Sequence, residues 1–178
     1  MNSYIVLLKG INVGGHKKVP MAELRDLLTQ LGFENVLTYI QSGNIILNAS
    51  QGKLAIERII FEGIKSNFGF ESYVLVKTAK ELQCIFDNCP FSEEKKKSSH
   101  FLMFHNTPTE NMIKITSEKT YEEEEFFILQ NCLYFYSIKG YGKVKFNANF
   151  FERKFKTFGT SRNYNTMVKL LSLSSENS

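Results

Sequence analysis

The chain lacks the marks of several large protein classes. No stretch of its 178 residues reaches the ~18 consecutive apolar residues of a membrane span. The opening Met1–Leu8 has neither the basic start nor the small-residue cleavage site of a secretory signal, so the expected location is the cytoplasm and no membrane partner is expected. Cysteine is scarce and odd in number. Of Cys84, Cys89 and Cys132, the only close pair is five apart in an expected helix, which puts the side chains off a shared face. Disulfides and zinc are therefore not expected, and the thiols read as buried small apolar groups. The three histidines, His16, His100 and His105, show no ligand spacing, and the consecutive acids Glu122–Glu125 must point in different directions, so no metal site is predicted. Dinucleotide-fold glycines, P-loop spacing and a serine elbow are all missing. Catalytic residues and cofactors stay unassigned, and whether the chain is an enzyme stays open.

What is present is an ordinary globular composition, 43% hydrophobic and 13% aromatic, enough for one large domain or two small ones. The net charge of +4 is placed unevenly. Residues 1–20 hold Lys9, Lys17 and Lys18 with no acid. Residues 138–169 hold eight basic side chains against Glu152 alone. Those stretches read either as an anion-binding surface or as solvated lysines scattered by the fold.

Apolar periodicity predicts a strand at 3–8, a helix at 21–31 with Leu24, Leu27, Leu28 and Leu31 on one face, and a strand at 36–41. Pro20 and Gly32 bracket that helix. Ser42-Gly43 reads as a two-residue turn into a strand at 44–48, followed by a helix at 53–67 and a strand at 71–77. Strand, helix, strand, strand, helix, strand is the ferredoxin-like order. A helix at 79–87 then leads to Pro90 and the Lys95-Lys96-Lys97 run, which reads as a surface linker. The second half restarts with a strand at 100–105, a helix after Pro108, a hairpin of 126–130 with 133–138, an aromatic helix at 147–155 and a last helix around Tyr164–Leu171, with 172–178 expected to fray. The fold class expected is α+β, with two ferredoxin-like subdomains over residues 1–95 and 96–178.

Two polar, glycine-containing segments each continue an apolar run. In Lys9-Gly10-Ile11-Asn12-Val13-Gly14-Gly15-His16-Lys17-Lys18, the glycines let backbone N–H groups approach an anion while lysines supply charge, just ahead of a helix start. The plain alternative is a tight turn with solvated lysines. In Thr38-Tyr39-Ile40-Gln41-Ser42-Gly43-Asn44, Ser42 and Asn44 are either turn residues or uncharged donors beside the first loop. Two later segments add candidates. In Thr160–Thr166, Arg162 could grip an anion in two hydrogen bonds while Tyr164 stacks on a ring, with Asn163 and Asn165 beside it. Asn163 is equally a helix cap, and Arg162 could instead pair with Glu122–Glu125. Lys139-Gly140-Tyr141-Gly142-Lys143-Val144-Lys145-Phe146 follows an RNA-recognition strand pattern except at Lys143, where a base-stacking aromatic is required. As a basic loop, it offers Lys143, Lys145 and Asn147 to an anion.

The wording and spacing of Leu7–Gly15, Thr38–Asn44 and Thr160–Thr166, together with Val19-Pro20-Met21-Ala22-Glu23-Leu24, Gly32-Phe33 and Asn149-Phe150-Phe151-Glu152-Arg153-Lys154, resemble the bacterial domain-of-unknown-function family number 1697. The chain departs from that pattern at Lys9, usually arginine, and at Tyr164, usually tryptophan. The resemblance implies two related α+β subdomains and supplies no activity. The functional expectation is a phosphorylated or otherwise anionic small molecule, plausibly a nucleotide, bound by Lys9, Asn12, Gly14, Gly15, Lys17, Ser42, Asn44, Lys143, Lys145, Asn147, Arg162, Asn163 and Asn165. The rivals are an RNA-binding module and a protein-interaction module without ligand.

Overall fold

The structure is a computed structural model and describes residues 1–118, 122–140 and 144–176. The chain forms two units, Met1–Gln83 with Lys169–Ser178, and Cys84–Val168.

The first unit contains β1 (Asn2–Leu8), α1 (Met21–Gln30), β2 (Glu34–Tyr39), β3 (Asn44–Ala49), α2 (Lys53–Phe68) and β4 (Val74–Lys77). Its antiparallel sheet has the order β2-β3-β1-β4, the ferredoxin-like arrangement. Alternate residues Tyr4, Val6 and Leu8 of β1 and Ile45, Leu47 and Ala49 of β3 pack with Leu24 and Leu28 of α1 and Ile56, Ile60 and Ile64 of α2. The four-residue spacing on α2 is one stripe of a 3.6-residue helix. Gly69, at φ 76, ends it in the left-handed conformation that glycine adopts without strain.

α3 (Ala79–Asp87) starts on a reciprocal cap. The Thr78 backbone N–H donates to Glu81 Oε2 at 2.8 Å, and the Glu81 backbone N–H donates to Thr78 Oγ1 at 3.2 Å. The division between the units falls at residues 83 and 84, inside this helix, rather than at 95. Its second half is tied to the second sheet: the Tyr134 hydroxyl donates to the Ile85 carbonyl at 2.8 Å, and the Phe86 ring lies 5.8 Å from that of Phe101.

The second unit continues with α4 (Glu93–Lys97), β5 (His100–Phe104), α5 (Glu110–Ser117), β6 (Glu124–Leu129), β7 (Cys132–Ser137), α6 (Ala148–Phe155), β8 (Gly159–Asn163) and α7 (Tyr164–Glu176). Its antiparallel sheet order, β6-β7-β5-β8, repeats the first topology. Leu102, Phe104, Leu133, Phe135, Phe151 and Phe155 form its core.

Several local expectations are corrected. The Lys95-Lys96-Lys97 run is a single helical turn rather than a linker: the Ser92 side chain caps it, and Lys96 is buried with its ammonium 4.1 Å from the Phe86 ring. Residues 159–163, expected to lead into the last helix, are strand β8, held along β5 from Phe104↔Gly159 to His100↔Asn163. The expected fraying of 172–178 gives way to helix through Glu176. β2 ends at Tyr39, so the connection to β3 is four residues, with Ile40 at φ 48 and Gly43 at φ 77. The strand expected from residue 71 starts at Val74. Cys132 alone of the three cysteines is buried, with Cys84 exposed and Cys89 between.

Candidate functional site

The loop after β1 is built around Asn12, which sits at φ 55, a conformation asparagine tolerates better than most residues. Its side-chain hydrogen bonds are internal to the protein. Nδ2 donates to the carbonyls of Val19 at 3.0 Å and Gln41 at 2.8 Å, while Oδ1 accepts from the Val19 N–H at 2.8 Å. Asn12 thus clamps both ends of its loop to the β2–β3 turn. The loop's other contacts are also structural. Lys9 accepts a hydrogen bond on its carbonyl from Ser72 Oγ at 3.0 Å, and its ammonium lies 5.9 Å from the Tyr73 ring. Lys17 Nζ donates to the Glu71 carbonyl at 2.6 Å and lies 5.7 Å from the Phe70 ring.

The β2–β3 turn is equally committed. Asn44 is fully buried, and its Nδ2 donates to the Tyr39 carbonyl at 3.1 Å and to Ser42 Oγ at 2.9 Å. Gly43 donates no side-chain volume where none fits: a Cβ there would stand 2.6 Å from Leu8 Cβ. Ser42 and Asn44 therefore hold the turn that carries Gln41 to Asn12.

Between these anchors lies a shallow cleft of about 330 Å3, walled by Asn12, Gly15, Lys18, Val19–Met21 and Gln41. It opens on the N-terminus of α1, whose cap position is Pro20 and which has no side-chain cap. The first backbone N–H groups of a helix have no intrahelical acceptor and carry the positive end of its dipole. Gly15, at φ 78, lines the cleft and follows Gly14 at φ 59, and a Cβ at Gly15 would meet nothing within 4 Å. Lys18 is exposed and makes no hydrogen bond or ion pair among the described residues. Glu23, in the first turn of α1, is the acid nearest in sequence. Of the residues expected at a site, Asn12 and Gly15 line this cleft; Lys18, which also lines it, was not among them.

The remaining candidates belong to the second unit. Arg162 on β8 is 7% exposed, and its guanidinium donates to Thr160 Oγ1 and the Ser161 carbonyl, each at 2.8 Å. Burial pushes its pKa down to about 10. Asn163 Oδ1 accepts from the Thr166 N–H at 2.9 Å and caps α7, while Asn165 is exposed in that helix's first turn. Asn147 Oδ1 accepts from the Asn149 N–H at 3.0 Å at the start of α6. Lys143 lies outside the described residues. The Lys145 N–H donates to Glu124 Oε1 at 2.6 Å, and its ammonium is 4.0 Å from Glu122. Lys95 pairs with Glu125 at 2.6 Å and Lys139 with Glu123, so the acidic run is met by lysines. Glu152 Oε1 accepts from the Gly159 N–H at 2.8 Å. Among the described residues, no three His, Cys, Asp or Glu side chains gather as metal ligands, and no helix is long and apolar enough to cross a membrane.

Comparison with known proteins adds the lineage. The profile of the protein family of unknown function DUF1697 matches residues 1–134, which includes the whole Asn12 loop and the Gln41 turn. The chain belongs to the DUF1697 family. A solved structure of another protein, conserved bacterial protein SP0830 from Streptococcus pneumoniae, is similar to this DUF1697 chain at 26% identity, covering 97% of this chain and 98% of that one with a TM-score of 0.76. No curated protein matches it.

Proposed function

We propose that this DUF1697 protein is a cytoplasmic binder of a small phosphorylated or otherwise anionic molecule, plausibly a nucleotide, held in the first unit at the start of α1. The observation that carries this reading is the cleft at the start of α1, where a helix N-terminus without a side-chain cap lies beside Gly15 and a Lys18 ammonium that has no partner among the described residues. Backbone donors at a helix start suit phosphate oxygens, and Gly15 lets such a group come close to the main chain. Two charge-assisted hydrogen bonds and the dipole together supply about 5 kcal/mol, a dissociation constant on the order of 0.1–1 mM for a bare phosphate group. Asn12 and Asn44 enter this reading as the scaffold of the cleft, and Lys18 as its charge.

Thermal unfolding at matched ionic strength tests it, with inorganic phosphate, nucleoside mono-, di- and triphosphates, sugar phosphates and a short single-stranded RNA. At ~100 times its dissociation constant, a ligand adds about 2.7 kcal/mol, which for 178 residues raises the midpoint by about 7 °C. The expected result is a rise with one small anion that Lys18→Ala abolishes without changing the unliganded midpoint. Stabilisation by RNA alone, vanishing as salt rises, overturns the reading in favour of a nucleic-acid surface.

A further inference from the structure

The second unit holds a cavity of about 230 Å3 whose lining differs in kind from the basic cleft. Ile85, Leu129 and Tyr134 give it apolar walls, Asn88, Gln130 and Asn131 line it with carboxamides, and the exposed Cys84 thiol borders it. Among the described residues, no lining side chain carries a charge. A charged ligand there would meet no counter-charge in the described lining, which favours a neutral occupant.

Each carboxamide has an acceptor oxygen and two N–H donors. Asn88 Nδ2 donates to the Cys84 carbonyl at 2.9 Å and approaches Cys84 Sγ at 3.2 Å, which leaves its oxygen for a ligand. Asn131 Nδ2 reaches the Phe104 carbonyl at 3.5 Å, and the Gln130 side chain has no hydrogen bond among the described residues. The Tyr134 hydroxyl is committed to Ile85, so that residue offers ring surface. Gln130 stands at φ 53 in the tight turn between β6 and β7, a place that asparagine or glycine fills with less strain. A carboxamide of longer reach occupies it instead.

We propose that this cavity is a binding site for one neutral, planar heterocycle of the nucleobase class. A carboxamide meets the adjacent donor and acceptor of such a ring edge with two parallel hydrogen bonds, as Asn and Gln meet adenine. The volume is below the ~300–1,000 Å3 typical of sites for drug-sized ligands and suits a single ring system. The inference stands on this cavity alone and does not depend on the cleft at α1.

Cys84 is the reporter. In a Cys89→Ser variant, where Cys132 is buried and Cys84 exposed, the rate of labelling by a chromogenic disulfide is measured with adenine, with uracil and with inorganic phosphate. A bound base at ten times its dissociation constant slows labelling about elevenfold by mass action. The expected result is saturable protection by at least one base, none by phosphate, and loss of protection in Gln130→Gly, a change that removes the amide at a φ glycine adopts freely. A parallel readout in the wild-type chain follows the side-chain amide resonances of Asn88, Gln130 and Asn131, which shift with the same base. Failure of both bases to slow labelling and to move these resonances overturns the proposal, as does equal protection by phosphate or full protection in Gln130→Gly.

Discussion

Replacing Asn12 separates a ligand contact from a structural clamp. The Asn12 side chain makes three hydrogen bonds of 2.8–3.0 Å, two to Val19 and one to Gln41. At about 1 kcal/mol net each, and with water able to reach the exposed Gln41 carbonyl, their loss costs about 2–3 kcal/mol. Alanine carries a second penalty. The residue sits at φ 55, and a left-handed conformation costs a residue with a Cβ about 1–2 kcal/mol that glycine is spared. Asn12→Ala is therefore expected to lose about 3–5 kcal/mol and Asn12→Gly about 2–3. Urea unfolding at equilibrium measures both. With a slope of about 2 kcal/mol/M, the alanine variant moves the midpoint down by about 2 M and the glycine variant by about 1 M. A loss under about 0.5 kcal/mol in Asn12→Ala, or identical losses in the two variants, refutes the clamp.

Three further outcomes follow from the geometry. Gly43→Ala places a Cβ 2.6 Å from Leu8 Cβ at φ 77, so strain and overpacking together cost about 3 kcal/mol or more, read as a fall in the urea midpoint. Glu81→Ala removes the reciprocal cap of α3 and costs about 1–2 kcal/mol, whereas Lys53→Ala breaks only a half-exposed pair of 2.5 Å and costs under about 1 kcal/mol. Burial pushes the His100 pKa down to about 4 from an ordinary 6.5. Below pH 6.5 the unfolded chain takes up a proton that the folded chain refuses. Stability attributable to His100 is therefore complete above pH 6.5 and falls progressively toward pH 4, by at most about 3 kcal/mol. His100→Gln flattens that part of the stability–pH curve, and an unchanged slope contradicts the assignment.

The fold was legible wherever burial follows a helix or strand period. Leu24, Leu27 and Leu28 announced α1, and the apolar run before Lys9 announced β1. β8 was not legible, because Gly-Thr-Ser-Arg-Asn has little strand preference and owes its form to pairing with β5. The single turn of α4 was hidden by its charges: Lys96 buries its stem and sets its ammonium over Phe86, a contact that no periodicity encodes. The candidate cleft was legible as a loop, but the roles of its side chains were not. Glycine, asparagine and lysine beside a helix start pointed to the loop that lines the α1 cleft. The same letters could not say that Asn12 and Asn44 bond to backbone carbonyls, since those partners, at Gln41 and Tyr39, come together only in the folded turn.

The most direct test of the central claim is a backbone amide NMR titration of the wild-type chain with inorganic phosphate at constant ionic strength. Binding at the α1 cleft predicts saturable shifts concentrated at Gly15, Lys18, Met21 and Ala22, with little change elsewhere. Shifts that are absent, that grow linearly without saturating, or that spread over lysines throughout the surface contradict it.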